Sequence, residues 1–590
     1  MLGSLLEYAH RAGIETEPGF SPETIKWEIR FSTSGKFVGV VEMGNLDDKI
    51  NHGRLFESVP KYPPNLMQSG GKSHFLTDSL GTLVPAMVAK AAGDPSTIPQ
   101  KAITKHEFFL SLLRQASRED SALALLKVVA DALSNEPKVE KLVLALKGKK
   151  AKHTDKATFR IGEFSPLEGS TWRDWWRTYR KTLFDATSGK KQQRSLATGK
   201  LIDPLESHQK IKGLSGVGGR GTGDSLISFD KESFCSYGLK QSRNAPIEEE
   251  AVSAYVSGLN HLLSRGKRVA STKVIHWYSK NLSIDPMEVV ESPAPFLDDW
   301  GDSAVEVEAD ISEVLGSIEV GSSPETKALD CRFSAMVLSG NQGRVVVRDW
   351  LEGDLGNLIK NICRWFNDLK IVRLDGSSPA KAPKFLGVLG STVADLDMLD
   401  GPFVIAMWQA AIAGRSFPRR AMFGALNRFK SDLLDSERMN QSRMGLLRAI
   451  LNRNGGREMN EKIDWKIDID RREPAYHCGR LLAVFARLQK AAVPNVKAGL
   501  VQRYYAAASS TPALVLGRLT RLSQHHLAKL EGGLPYWFEN KISEVAERIT
   551  TYPKVLSLEQ QSLFALGYYQ QVALLRAEKS KNKKKEDQND

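Results

Sequence analysis

The chain has 590 residues, 82 Lys and Arg against 69 Asp and Glu, a formal charge of +13, and 41% hydrophobic residues, which is the composition of an ordinary globular protein with room for several domains. It contains no uncharged apolar run of transmembrane length and no basic signal-peptide start. Its four scattered cysteines (Cys235, Cys331, Cys363, Cys478) make neither a disulfide framework nor a CxxC metal knuckle, so the expected setting is the cytoplasm, with no membrane association.

Residues 25–43 alternate apolar and polar side chains around Ser34-Gly35, which predicts a β-hairpin. Helical periodicity covers 110–133 and 139–146, and Pro246 opens a helix with Glu248, Glu249 and Glu250 in its first turn. A strand is predicted over 268–277. Residues 281–330 hold 13 acidic side chains and one Lys, and they read as a solvated linker or insertion. A second hairpin over 333–350 leads into a helix at 355–369. From about Ala421 the pattern is almost wholly helical, and KSKNKKKEDQND predicts a disordered tail. The expected class is α+β: a mixed α/β N-terminal part with β-hairpins (1–280), the acidic linker (281–330), a continuation of the α+β core with connecting helices (331–458), a C-terminal helical bundle (459–577) and a charged tail (578–590).

Charge is segregated along the chain. Residues 474–530 hold eight Lys and Arg and no Asp or Glu, a pattern suited to a surface that follows a phosphate backbone. Within that stretch Arg518, Arg521, His525 and Lys529 fall on one helical stripe, with Arg503 upstream. A row of cations of this kind tracks a single strand without reading its sequence. In STWRDWWRTYRK the aromatic residues share one helical face that belongs in a core, while Arg173, Arg177 and Arg180 form a second face, either phosphate-binding or merely solvated.

The loop at 213–223 (GLSGVGGRGTG) formally contains G-x-G-x-x-G, but an extended segment follows it rather than a helix, and no Gly-Lys-Ser/Thr closes it. Two readings stand level. In one, backbone N–H groups approach phosphates or a groove, helped by Lys210, Lys212 and Arg220; in the other, the loop is flexible surface. Metal-ligand, hydrolase, kinase and NTPase signatures are absent, so no catalytic residue, metal or cofactor is expected. The rival is a stand-alone RNA-processing enzyme with His208 or His276 as general acid–base.

Five ordered blocks carry a resemblance: LGSLLEYAHRAG…GFSPETIKWEIRFSTSGKFVGVV, KIKGLSG…SLISFDKESFCSYGLKQSRNAPIEEEAVSAYVSGLNHLL, FSAMVLSGNQGRVVVRDW, PAYHCGRLLAVFARLQ…RYYAAASSTPALVLGRLTRLSQHHLAKL and LSLEQQSLFALGYYQQ. Together they resemble the large subunit of the type I-C CRISPR effector complex, Cascade. The departures are Thr77, Asp78 and Ser79, where the family shows a Cys-Asp-Asn-like turn, and RSLATG, which lacks the family's usual Cys.

The resemblance implies a non-catalytic protein that reads a protospacer-adjacent motif in duplex DNA, holds the 5′ handle of the crRNA, stabilises the displaced strand and recruits a helicase-nuclease. Implied partners also include the Cascade backbone and handle-binding subunits and a small subunit made from the same gene. The motif-reading candidates are Lys72, Ser79, Lys212, Gly218, Gly219, Arg220, Gln241 and Asn244. The backbone-contact candidates are Arg173, Arg177, Arg180, Arg344, Arg348, Arg503, Arg518, Arg521 and Lys529. Gly455-Gly456 upstream of Met459 can be encoded as a ribosome-binding sequence, which makes Met459 the candidate internal start.

Overall fold

The alternation around Ser34-Gly35 becomes the expected hairpin in the computed structural model, which describes residues 1–44, 53–62, 66–67, 70–89, 98–185, 192–282, 285–291, 331–436, 439–454, 461–495 and 499–586. Two units result: Met1–Arg265 with Gly340–Val346, and Gly266–Ser339 with Val347–Asp590. The first boundary therefore falls at 265 rather than 280. The second unit gathers in one body what the sequence divides at 458.

The first unit holds β1 (Phe20–Ile25), β2 (Trp27–Phe31), β3 (Phe37–Glu42), β4 (Arg54–Pro60), β5 (Asp78–Ser79), β6 (Lys156–Ile161), β7 (Gln193–Arg194) and β8 (Leu201–Ile202). Its four-stranded sheet has the order β3-β2-β6-β5, with β2 and β6 parallel. Parallel neighbours need a long crossover, and the helices Gln100–Glu119, Leu126–Leu133 and Glu136–Gly148 lie within it. The single helix expected over 110–133 is broken where the Asp120 carboxylate accepts the Ala122 N–H at 2.9 Å. The aromatic stripe of the Trp172–Asp185 helix is core: Trp172 and Trp176 are fully buried with Trp27 and Phe75, and Phe75 stacks on Trp176.

The second unit opens with β9 (Lys267–Val269) and β10 (Thr272–Tyr278), a hairpin where one strand was expected, because the chain turns at Ala270 with a φ of 52°. β11 (Arg332–Asn341) and β12 (Arg344–Asp354) complete a sheet of order β12-β11-β10-β9. Gln342 and Gly343 both have positive φ, 49° and 99°, as a tight two-residue hairpin turn requires. Asp354 then caps the Leu355–Leu369 helix by accepting the Asn357 N–H at 2.7 Å.

One buried cluster runs from Val274 to Ala573, so the helices after 459 share their core with those before it. The Tyr569 hydroxyl donates to the Val372 carbonyl at 2.7 Å, buried Arg448 donates to the Ile463 carbonyl at 2.8 Å, and Phe429 meets Tyr505 edge-on at 5.5 Å. The physical reason is coverage: the Arg419–Ser436 helix packs on Leu500–Ala508 and on Leu558–Glu586. The helices Pro474–Ala492 and Leu558–Glu586 cross in backbone contact. A Cβ built on Gly479 would collide with the Phe564 carbonyl oxygen, and one on Gly567 with that of Tyr476.

The last helix reaches Glu586, well into the segment expected to be a disordered tail. At the other end of the unit, Pro286–Glu291 is helical with Met287 and Val290 buried, so packing begins inside the stretch assigned to the acidic linker. Residues 292–330 and Met459 lie outside the described residues.

Candidate nucleic-acid interface

In the first unit the glycine loop is a braced element. Ile211 and Asp224 exchange both backbone hydrogen bonds at 2.8 Å, closing its base. The fully buried Asp224 carboxylate accepts the Arg220 N–H through both oxygens, at 3.1 and 3.2 Å. Leu214 and Val217 are buried beneath it. A Cβ on Gly219 would collide with Asp224, and one on Gly340 with Gly219, so Gly218-Gly219 let the loop lie directly on the hairpin tip. Of the two readings left open, flexible surface loses its basis. Lys212, Ser215, Arg220 and Thr222 are exposed, Lys212 and Arg220 supplying the charge, and the Arg220 guanidinium lies over Gly343.

A second loop is tied to the same tip. Arg344 pairs with Asp230 at 3.1 Å and places its guanidinium 5.9 Å from the Phe234 ring. The Ser228 hydroxyl, and Arg344 against the effect of burial, hold the Asp230 carboxyl below the usual range, so the pair is charged at neutral pH. Asn244 is spent on the backbone: its amide donates to the carbonyls of Leu239 at 3.1 Å and Gln241 at 2.9 Å and accepts the Ser236 N–H at 2.8 Å. The Gln241 side chain makes no hydrogen bond among the described residues and is half-exposed, on a backbone with a φ of 48°. Tyr237 is fully exposed with a φ of 56°, a left-handed conformation that costs a side-chain-bearing residue roughly 1 kcal/mol. The sequence places Tyr237 in a family block but not among the site candidates, and it does not single out Phe234 or Asp224. Nothing in the spelling SFCSYG says that two rings face water.

The other motif-reading candidates stand apart from this assembly. No hydrogen bond or ion pair among the described residues links Lys72 or Ser79 to it. Lys72 is half-buried with its ammonium 5.8 and 5.9 Å from the rings of Tyr62 and Phe108. The Ser79 hydroxyl lies 3.1 Å from that of Thr82. Beside them is a buried charge cluster. Asp78 accepts the N–H groups of His74 and Ser79 at 2.9 and 2.7 Å, and burial, which would raise its pKa, is outweighed by Lys156 and these bonds.

The arginine face of the Trp172–Asp185 helix is largely committed internally. Arg177 makes a bidentate pair with Glu17 at 2.6 and 2.7 Å and reaches Asp174, while Arg180 is buried on Glu249 at 2.6 Å. Arg173 packs over Trp172 at 5.9 Å.

In the second unit Arg348 is exposed and donates to the Ser339 hydroxyl at 2.9 Å. On the Pro512–Leu527 helix Leu516, Leu519 and Leu527 are buried while Arg518, Arg521 and His525 are exposed, with Lys529 just beyond. Among the described residues Arg503, Arg518, Arg521 and Lys529 have no carboxylate partner. Reversing Arg518 and Arg521 to Glu should lower the salt slope of single-strand binding by about 0.7 for each lost phosphate contact. An unchanged slope in a folded variant would show that the stripe holds no strand.

A model of the CRISPR-associated protein family Cas_Csd1 matches residues 5–575. The chain belongs to that family. No curated protein matches it. Membership makes it a CRISPR-associated protein of antiviral defence, a setting in which nucleic acids are the natural partners of its exposed cations.

The two histidines of this Cas_Csd1 protein that are candidate general acid–bases are both held by neighbouring side chains. His208 is buried with Nδ1 2.9 Å from the Tyr255 hydroxyl, and burial pushes its pKa down to about 4. His276 is held by Asp285 at 2.6 Å, and the same carboxylate accepts from Tyr278 and from the Met287 N–H. Among the described residues no group of three or more His, Cys, Asp and Glu is placed to hold a metal ion, and no helix is long and apolar enough to cross a membrane.

Proposed function

We propose that this Cas_Csd1 protein is the large subunit of a type I-C Cascade, a non-catalytic protein that reads the protospacer-adjacent motif in duplex DNA and holds the crRNA 5′ handle. In this reading it also stabilises the R-loop by its contacts to the displaced strand and recruits the helicase-nuclease. Pairing with the guide supplies most of the sequence information, so the protein needs only a short readout and long backbone contacts. Its partners are the backbone and handle-binding subunits and a small subunit started at Met459 of the same gene.

The observation that carries the reading is the braced surface of the first unit, where the glycine loop, the 230–244 loop and the hairpin tip present Lys212, Arg220, Arg344, Gln241 and Tyr237. Rigid backbone, cations and one uncommitted amide are the ingredients of groove readout. Gln241→Ala should weaken binding to motif-bearing duplex about tenfold while leaving non-specific duplex nearly unchanged, consistent with one lost base contact. Asn244→Ala, which frees three backbone groups, should weaken both. Equal loss for both duplexes in Gln241→Ala would remove that residue from motif reading. Cleavage of repeat RNA by the purified chain would overturn the non-catalytic assignment.

A further inference from the structure

The acid-free stretch of the sequence forms one side of a cavity in the second unit that none of the functions above uses. Its volume is about 460 Å³, within the range of small-molecule sites, and it opens between the helices Pro474–Ala492, Leu500–Ala508 and Leu558–Glu586. Arg487, Lys490, Arg576 and Lys579 line it, and none of the described lining residues is acidic. Among the described residues none of these four cations forms an ion pair. The floor is apolar: Leu500, Val501, Val572 and Leu575, with the ring of Tyr568.

The remaining polar groups are also arranged as donors. Gln489 uses its carbonyl oxygen to accept the Leu500 N–H at 2.6 Å, and Gln502 uses its own to accept the Gly499 N–H at 3.2 Å. Both amides are therefore left with their NH₂ groups. A site with four cations, donor amides, no carboxylate and an apolar base with one aromatic ring fits a ligand that is anionic at one end and flat and apolar at the other.

We infer that this cavity binds a nucleoside phosphate, its base on the apolar floor and its phosphate among the four cations. Four cations exceed the charge of one phosphate monoester, which suits a nucleotide still joined to its neighbours, its base turned out of the strand and seated against the apolar floor. For that source the inference rests on the nucleic-acid reading, whereas a free nucleotide would fill the site by the same chemistry.

The test uses the full chain and two fluorescent probes: a twelve-residue DNA strand carrying one 2-aminopurine, and 2-aminopurine riboside 5′-monophosphate. Wild-type protein should change the fluorescence of at least one probe. Lys490→Glu with Arg576→Glu, two exposed positions, should weaken that probe's binding at least tenfold with the thermal midpoint retained. Ala486→Leu, which fills the cavity while keeping every cation, should abolish the fluorescence change. A response from the strand alone makes the source a strand, and from the monophosphate alone a free nucleotide. If the strand binds in a gel shift without any fluorescence change, the cavity assignment falls and the nucleic-acid reading stands. If the monophosphate binds and no strand does, the reverse holds. Binding of both probes unaltered by the variants would overturn the cavity.

Discussion

Gly567→Ala is expected to destabilise the second unit by roughly 3 kcal/mol, the upper part of the range for overpacked cores. The helices Pro474–Ala492 and Leu558–Glu586 touch backbone to backbone, and the Cβ at 567 would strike the carbonyl oxygen of Tyr476, which cannot swing aside as a side chain does. Gly479→Ala meets the Phe564 carbonyl from the opposite side and should cost a similar amount. Because both residues act at one crossing, the double variant should lose less than the sum. Gly517 is the control: it lies mid-helix with nothing within 4 Å of a built Cβ, so Gly517→Ala should be neutral or stabilising by about 0.5–1 kcal/mol. Thermal melting of the three single variants and the double decides the matter. A Gly567→Ala protein that melts with the wild type would mean that the helices are not in backbone contact.

Stability should fall steeply below about pH 6.5, because three histidines are folded in their neutral form. Burial pushes His74 down to about 3 and His208 and His477 to about 4. The geometry explains why a second proton has nowhere to go. His477 donates from Nε2 to the Arg471 carbonyl at 2.6 Å, so its Nδ1 must accept from the Arg480 guanidinium at 3.1 Å. His208 Nε2 is buried with no partner among the described residues. A folded pKa below the unfolded value of about 6.5 means that the unfolded chain binds the extra protons. The stabilisation is therefore complete above pH 6.5 and is lost as pH falls toward the folded values. Each histidine contributes about a factor of ten in the folding equilibrium per pH unit in that window. Below about pH 4, where His208 and His477 cease to contribute, protonation of Asp78, held low by Lys156 and two N–H groups, should prolong the loss. Melting curves from pH 8 to pH 4 check this, and a midpoint constant between pH 7 and pH 5 would contradict it.

Periodicity made much of the fold legible: the hairpin at Ser34-Gly35, the Gln342-Gly343 turn feeding the Leu355–Leu369 helix, and the aromatic core face of Trp172–Asp185. What it missed were local interruptions, such as Asp120 capping the turn that follows it and Ala270 turning a strand back, where one side chain or one dihedral overrides the pattern. Burial was hidden in the same way. The spacing of Arg173, Arg177 and Arg180 describes a helical face but cannot tell that Glu17 and Glu249 occupy it. Asn244 has the same polarity as Gln241, yet only its position at the end of a turn spends its amide on the backbone. The site's rigidity was unreadable because it depends on Asp224 and Gly340, which are more than a hundred residues apart in the chain.

The continuous core of the second unit bears on any polypeptide that starts at Met459. Such a product keeps both glycines of the helix crossing, so its two longest helices pair as they do here. It leaves behind Phe429, Arg448 and the rest of the two helices that cover Tyr505, Phe564 and Tyr568. A free copy would present bare aromatic surface to solvent and would be a substrate for proteolysis and aggregation until something helical covered it. Its abundance would then follow the number of docking places rather than the rate of its translation, and excess copies would be cleared rather than stored.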